Sequence, residues 1–158
     1  MSLKLDHLDR KILEELQRDA TASQRDLADR VGLSQNACWR RLKALEAGGA
    51  IRNRTVVLNR DRLGSGLLVI MMIRTRHHSA RWLETFRAHV SSIPDVIDFY
   101  RIGGDYDYLI KVVTQDMASY DAIYRRLISR VELDTVTSYF AMEAIEEQRP
   151  LPLTRHGD

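Results

Sequence analysis

Residues 23–43 read Ser-Gln-Arg-Asp-Leu-Ala-Asp-Arg-Val-Gly-Leu-Ser-Gln-Asn-Ala-Cys-Trp-Arg-Arg-Leu-Lys, and their punctuation decides the first part of the fold. Ser23 is placed to cap a helix of about two turns that carries Leu27, Ala28 and Val31 inward, and Gly32 supplies the permissive backbone for a tight exit. Ser34 is placed to cap the next helix, in which Cys38, Leu42 and Leu45 form a buried stripe and Gly48-Gly49 mark the stop. Only Gly32-Leu33-Ser34 lies between the two helices. A three-residue turn with glycine between short helices is a helix-turn-helix pattern. Upstream, Leu5, Leu8, Ile12, Leu13 and Leu16 repeat with a 3.6-residue rhythm, so a further helix precedes the pair; Asp6 caps it, Asp9 sits in its first turn, and it ends near Asp19.

With Cys38, Leu42 and Leu45 inward, the opposite face of the third helix presents Gln35, Asn36, Trp39, Arg40 and Lys43. These are nucleic-acid-reading types. Gln and Asn pair bidentately with adenine and Arg with guanine, and the free backbone amides of a helix N-terminus, here at Ser34, accept a phosphate. Residues 51–58, Ile-Arg-Asn-Arg-Thr-Val-Val-Leu, are rich in β-branched types and predict a wing or linker strand, with Arg52 and Arg54 on one side of it.

The charge balance supports this division. The 158 residues hold 24 Lys plus Arg against 22 Asp plus Glu, yet residues 1–60 carry 12 basic and 8 acidic side chains while residues 61–158 carry 12 and 14. Between Gly32 and Arg60 the segregation is sharper: Arg40, Arg41, Lys43, Arg52, Arg54 and Arg60 face one acid, Glu46. Such a surface suits phosphates, or is an ordinary solvated face.

From Leu63-Gly64-Ser65-Gly66 onward the pattern changes. Leu67 to Ile73 is continuously apolar, as expected of a strand covered on both faces. A helix follows over 79–90 with Trp82, Leu83, Phe86 and Val90 at helical spacing, then a strand over 96–102, the turn Gly103-Gly104-Asp105, and a strand over 107–113 with Tyr108, Ile110 and Val112 on one face. Asp116 caps a helix that turns Tyr120, Ile123, Tyr124, Leu127 and Ile128 inward, and 136–145 is the last strand. The fold class is therefore α+β: a winged helix-turn-helix over 1–60, then a ferredoxin-like β-α-β-β-α-β sandwich over 61–158. A sheet with helices on one face leaves apolar positions on the other. The run 67–73, with Phe140 and Met142 nearby, predicts that two sheets pack face to face in a homodimer, which also suits half-site reading of double-stranded DNA.

Composition excludes other classes. Hydrophobic residues make up 44% and charged residues 29%, enough for a core. No apolar run approaches the roughly 20 residues of a membrane helix, and the N-terminus has no signal-peptide stretch, so a cytoplasmic protein without membrane contact is expected. Cys38 is the single cysteine, which precludes an intrachain disulfide, and as part of an inward stripe it reads as a small buried hydrophobe. His77 and His78 are adjacent with no third ligand close in sequence, so no metal site is expected.

The ordered set Leu5-Asp6 with Asp9-Arg10-Lys11-Ile12-Leu13, Leu27-Ala28 with Val31-Gly32-Leu33-Ser34, Arg40-Arg41-Leu42 with Leu45-Glu46, and Gly103-Gly104-Asp105-Tyr106-Asp107-Tyr108-Leu109 resembles the leucine-responsive regulatory protein and asparagine-operon regulator (Lrp/AsnC, feast/famine) family over nearly the whole chain. Within it, Cys38-Trp39, His77-His78-Ser79 and Ser138 with Phe140-Ala141-Met142-Glu143 are most similar to the cysteine-responsive detoxification regulators. The loop Val131-Glu132-Leu133-Asp134 departs from that subgroup in lacking a Pro-Gly pair. The resemblance implies a transcriptional regulator without cofactor or catalysis, assembled as dimers and often octamers. It also implies a small amino acid, L-cysteine for the subgroup, bound between dimers near Gly103, Gly104, Asp105, Tyr106 and Asp107 with help from Thr137 and Ser138. Turn amides can hold a carboxylate, and Asp105 or Asp107 an ammonium group.

Three rival functions have less support. An enzyme would need a nucleophile elbow, phosphate loop or histidine constellation, and none occurs. An RNA-binding module on the sheet would need exposed aromatics in a Lys/Arg-Gly-Phe/Tyr context, which the strand over 107–113 lacks. A stand-alone amino-acid sensor would leave the basic helix-turn-helix without a task.

Overall fold

The computed structural model describes residues 3–153. Contacts group the chain into two compact units, one comprising Met1–Val56 with Glu146–Asp158 and the other Val57–Ile145. The first, called the head below, thus includes a late segment of chain as well as the N-terminal helices.

In the head, α1 is His7–Arg18, α2 is Gln24–Val31 and α3 is Gln35–Ala47. The caps form as their residue types dictate. The Asp6 carboxylate accepts from the Asp9 N–H at 2.8 Å while the Asp9 carboxylate accepts from the Asp6 N–H at 3.2 Å, a reciprocal capping box. Ser23 and Ser34 accept from the N–H groups of Asp26 and Ala37. Gly32 closes α2 at φ 75°, a left-handed conformation that a side chain would strain. The three helices bury Ile12, Leu13, Leu27, Ala28, Val31, Cys38, Leu42 and Leu45 together, and Leu153 packs against this cluster from the late segment.

The strand expected over 51–58 does not form. Residues 51–59 are irregular, and Val56, Val57 and Leu58 are exposed. β-Branched composition marks a segment that tolerates a pleated shape, but a strand exists only beside a row of complementary N–H and C=O groups. Among the described residues no strand pairs with this stretch.

The second unit is the sandwich. Its strands are β1 (Leu67–Arg74), β2 (Val96–Arg101), β3 (Tyr108–Thr114) and β4 (Thr135–Phe140), with α4 (Ala80–Ser91) between β1 and β2 and α5 (Met117–Ile128) between β3 and β4. The sheet order is β2-β3-β1-β4, and every pairing is antiparallel. Val69, Met71 and Ile73 of β1 and Tyr108, Ile110 and Val112 of β3 pack against Phe86 and Val90 of α4 and Tyr120, Ile123 and Leu127 of α5. Phe86 is the centre of this core, edge-on to Phe99 at 5.4 Å and to Tyr108 at 5.1 Å.

Three details differ from expectation. First, β1 is not equally covered on both faces: its burial alternates, with Ile70 and Met72 half-buried between fully buried neighbours. Second, β4 ends at Phe140 rather than at 145, because the pairing with β1 stops at Val69↔Phe140, and Ala141 N–H donating to Leu68 O is its last rung. Beyond it Met142 and Ile145 are 96% and 90% exposed. Phe140 itself turns to the helix side, edge-on to Tyr120 at 5.3 Å, so neither Phe140 nor Met142 belongs to the opposite face. That face instead carries Leu68, Ile70, Met72, Leu109, Val113 and Tyr139, with Lys111 and Asp98 ion-paired at 3.3 Å. Third, Ile128 is exposed at the last turn of α5, where Leu127 takes the inward position.

Candidate DNA interface and effector turn

The exposed face of α3 divides its polar side chains into two sets. Ser34, Gln35, Asn36, Trp39 and Arg40 lie outward on the first two turns, and Trp39 is 45% exposed. Gln35, Asn36 and Arg40 make no side-chain hydrogen bond or ion pair with the described residues, so their donors and acceptors face water. Leaving rotamer-rich polar groups unpaired costs little in solvent, and it leaves them ready for a partner.

The second set is engaged. The Arg41 guanidinium reaches back to α1, bonding the Asp6 carboxylate at 2.7 Å and that of Asp9 at 2.8 Å. The two carboxylates hold Arg41 still more firmly protonated, and the Asp9 N–H, then Arg41, hold the Asp6 carboxyl below its usual range. Lys43 and Arg54 share Glu46, at 2.8 and 2.9 Å, and Lys43 leads in holding the Glu46 carboxyl below its ordinary value. Arg52 is exposed without a partner among the described residues. Thus Arg41, predicted as a phosphate ligand, ties α3 to the capping box of α1. Helical spacing sets Arg40 on the outward face and Arg41 beside the buried stripe, but Arg41's partners, Asp6 and Asp9, emerge only from the position of α1.

The turn after β2 is the second candidate site. Gly103, Gly104 and Asp105 are exposed, and Gly104 has φ 119°, a conformation that favours glycine. Asp105 makes no side-chain bond among the described residues. Asp107 is committed to the fold: its carboxylate accepts from the Thr75 N–H at 2.8 Å, and its backbone bridges Ile73 and Ile102. The Tyr106 hydroxyl meets the Thr137 hydroxyl at 3.3 Å. Thr137 lies opposite Met72 and Ser138 opposite Met71, so the two point to different faces of β4. Ser138 bonds the Tyr120 hydroxyl beneath α5, where burial pushes the Tyr120 pKa up. The predicted effector residues therefore form one cluster of Gly103, Gly104, Asp105, Tyr106 and Thr137, with Ser138 and Asp107 directed elsewhere. Among the described residues no three His, Cys, Asp or Glu side chains are grouped to hold a metal, and no helix is long and apolar enough to cross a membrane.

A helix-turn-helix whose second helix offers unengaged Gln, Asn and Arg, joined to a sandwich with a polar turn, defines a DNA-binding regulator with a ligand-binding domain. The comparisons place it further. Residues 5–52 match a winged helix-turn-helix DNA-binding domain, and residues 68–151 match the Lrp/AsnC ligand binding domain. The chain is 45% identical to the glutamate uptake regulatory protein of Zymomonas mobilis, over 100% of this chain and 96% of that one. It is 43% identical to the DNA-binding transcriptional activator DecR of Escherichia coli, over 94% and 99% of the two. It superposes on a transcriptional regulator of Neisseria meningitidis in complex with L-Met at TM-score 0.89 and 30% identity, covering 95% and 97%. The chain belongs to the Lrp/AsnC family of transcriptional regulators, which are not enzymes.

Proposed function

We propose that this regulator binds an operator in double-stranded DNA through Ser34, Gln35, Asn36, Trp39 and Arg40, and that its grip on DNA changes when a small amino acid binds the sandwich. Residues 1–60 do the reading and the chain from 61 onward the sensing. Lys43, Arg52 and Arg54 contact phosphates, Lys43 and Arg54 after exchanging Glu46 for the DNA backbone. Arg41 keeps α1 and α3 together. The observation that carries the reading is the unengaged polar side chains on the opening turns of α3.

The working unit is a homodimer joined through the apolar sheet face of Ile70, Met72, Leu109 and Val113, assembled further to a homo-octamer in the cytoplasm. The effector sits at Gly103, Gly104, Asp105, Tyr106 and Thr137, between dimers. Its carboxylate meets the turn amides and its ammonium group meets Asp105. The relative solved with L-methionine supports an amino acid as the ligand, and the resemblance to the cysteine-responsive subgroup favours L-cysteine.

Anisotropy titration of operator DNA at several salt concentrations tests the interface. The logarithm of affinity falls against the logarithm of salt with a slope of about −0.9 per phosphate neutralised, and a flat response sinks the proposal. Arg40→Ala weakens binding by about 1–3 kcal/mol and relaxes preference at one base position. Arg41→Ala, in contrast, lowers thermal stability before it alters base preference. Thermal shift against the twenty amino acids identifies the effector, since a ligand at 100 times its dissociation constant adds about 2.7 kcal/mol to stability. Asp105→Ala removes that shift.

A further inference from the structure

The late segment after β4 makes a set of contacts that neither the DNA interface nor the effector turn uses. The Gln17 side-chain amide grips the backbone of Leu151 from both sides, donating to its carbonyl at 3.1 Å and accepting from its N–H at 2.6 Å. Two turns earlier on α1, the Arg10 guanidinium donates to the Leu153 carbonyl at 2.9 Å and to the Leu5 carbonyl at 2.9 Å. The Leu153 side chain packs against the head core.

The composition of this segment suits docking and release. It reads Pro150-Leu151-Pro152-Leu153, so fixed φ angles and the extended bias of a residue before proline hold it straight when free, and little entropy is lost on docking. Gln148 turns the chain back at φ 54°, a left-handed conformation that is strained for a residue with a side chain. Leu151 and Leu153, with Leu13, Leu16, Ala20 and Ile51, line a groove of about 650 Å³ that opens to solvent, so the segment is covered on one side only. Few packed contacts and partly exposed hydrogen bonds define the low end of local stability.

We propose that residues 146–153 are a releasable strap that clasps α1 and carries the state of β4 to the reading helix. Five residues, 141–145, separate the strap from the end of β4. Its anchor, Arg10, is the neighbour of Asp9, which holds Arg41 of α3. The line runs from β4 through the strap to α1 and across the Asp6–Asp9–Arg41 cluster to α3. A shift of β4 that tightens or slackens the strap thereby biases how α1 holds α3. The coupling rests on the amino-acid response proposed above; the clasp does not.

Gln17→Ala in the full-length protein tests both. Gln17 is exposed and outside the DNA-reading set, so folding and effector-free DNA binding are retained, with affinity within about threefold of wild type. Hydrogen exchange at the α1 amides of residues 10–18 accelerates about tenfold while α3 and β3 keep their protection. The ratio of operator affinities with and without the stabilising amino acid falls toward one. Gln148→Gly, which accepts the same backbone turn without strain, keeps both the protection and the response. Unchanged α1 exchange in Gln17→Ala overturns the clasp, and a full amino-acid response despite faster exchange overturns the coupling. If wild type responds to none of the twenty amino acids, the effector reading fails and takes the coupling with it, and the exchange data alone decide the clasp.

Discussion

The head and the sandwich bury their apolar residues in different ways. The sandwich core is built around rings: Phe86 meets Trp82 at 4.9 Å and Tyr108 at 5.1 Å, and Tyr120 closes the other end. Among the described residues the head core contains no aromatic side chain, only Ile, Leu, Val, Ala and Cys38, on helices of 12, 8 and 13 residues. Aromatic rings bury the largest areas per residue, and helices this short are marginal on propensity alone. The sandwich is therefore held by packing, whereas the head depends more on its ends: the capping box at Asp6, the serine caps, the Arg41 cluster and the strap. Terminal contacts can change without repacking a core, so a head held this way can be adjusted at its ends.

The largest effect that separates the two is expected from Phe86→Ala. It removes the central ring of the sandwich and costs about 3–5 kcal/mol. The two tryptophans report the units separately, because Trp82 belongs to the aromatic cluster and Trp39 to α3. In a thermal melt of this variant the Trp82 signal is lost at markedly lower temperature; an unchanged melt would show that the rings do not hold the sandwich. Next comes Ser23→Ala, which leaves the Asp26 N–H uncapped on the eight-residue α2 and costs the head about 1 kcal/mol. Denaturant titration followed by Trp39 reads it.

Acid has a smaller effect on the head, because its carboxylates are exposed and screened by water. Asp6, Asp19 and Glu46 are all held below their ordinary values of 3.8, 3.8 and 4.5, Asp6 by the Asp9 N–H, Asp19 by the Thr21 hydroxyl and Glu46 by Lys43. A carboxylate with a lowered native pKa adds stability that is present above its unfolded value and is lost as pH falls through the native one. The melting temperature of the head accordingly drops below about pH 4 and is level toward neutrality. A melting temperature that rises on acidification contradicts this. The smallest effect is at Cys38, which is 2% exposed and whose thiol burial pushes up in pKa. In the folded protein at neutral pH it resists alkylation, and urea sufficient to open the head exposes it.

What the sequence revealed follows the same division. The helices of the head were legible because their boundaries are written locally: Asp6, Ser23 and Ser34 at the starts, Gly32 and Gly48 at the ends. The strand order of the sandwich was legible from its apolar runs and breakers. Contacts that depend on a distant partner were not. Thr55-Val56-Val57 has strand composition but no strand beside it among the described residues, and the length of β4 is set by where β1 runs out. Helical spacing separates Arg40 from Arg41, but that Arg41 is tied to Asp6 and Asp9 emerges only once α1 is in place. Thr137 and Ser138 are adjacent in sequence, yet the pleat sends one toward Tyr106 and the other under α5. Nothing in Pro150 to Leu153 announced a docking site on α1.

That last contact joins residues 143 positions apart, Arg10 to Leu153, inside a unit whose helices are synthesised before the sandwich. At roughly 5–20 residues per second, on the order of ten seconds pass between synthesis of α1 and synthesis of the strap. During that interval α3 can fold on α1 and α2 with its exposed polar side chains already outward but with α1 unclasped. The head is thus begun before the sandwich and completed after it, and a newly made chain acquires its ligand-binding domain before its head is fully secured.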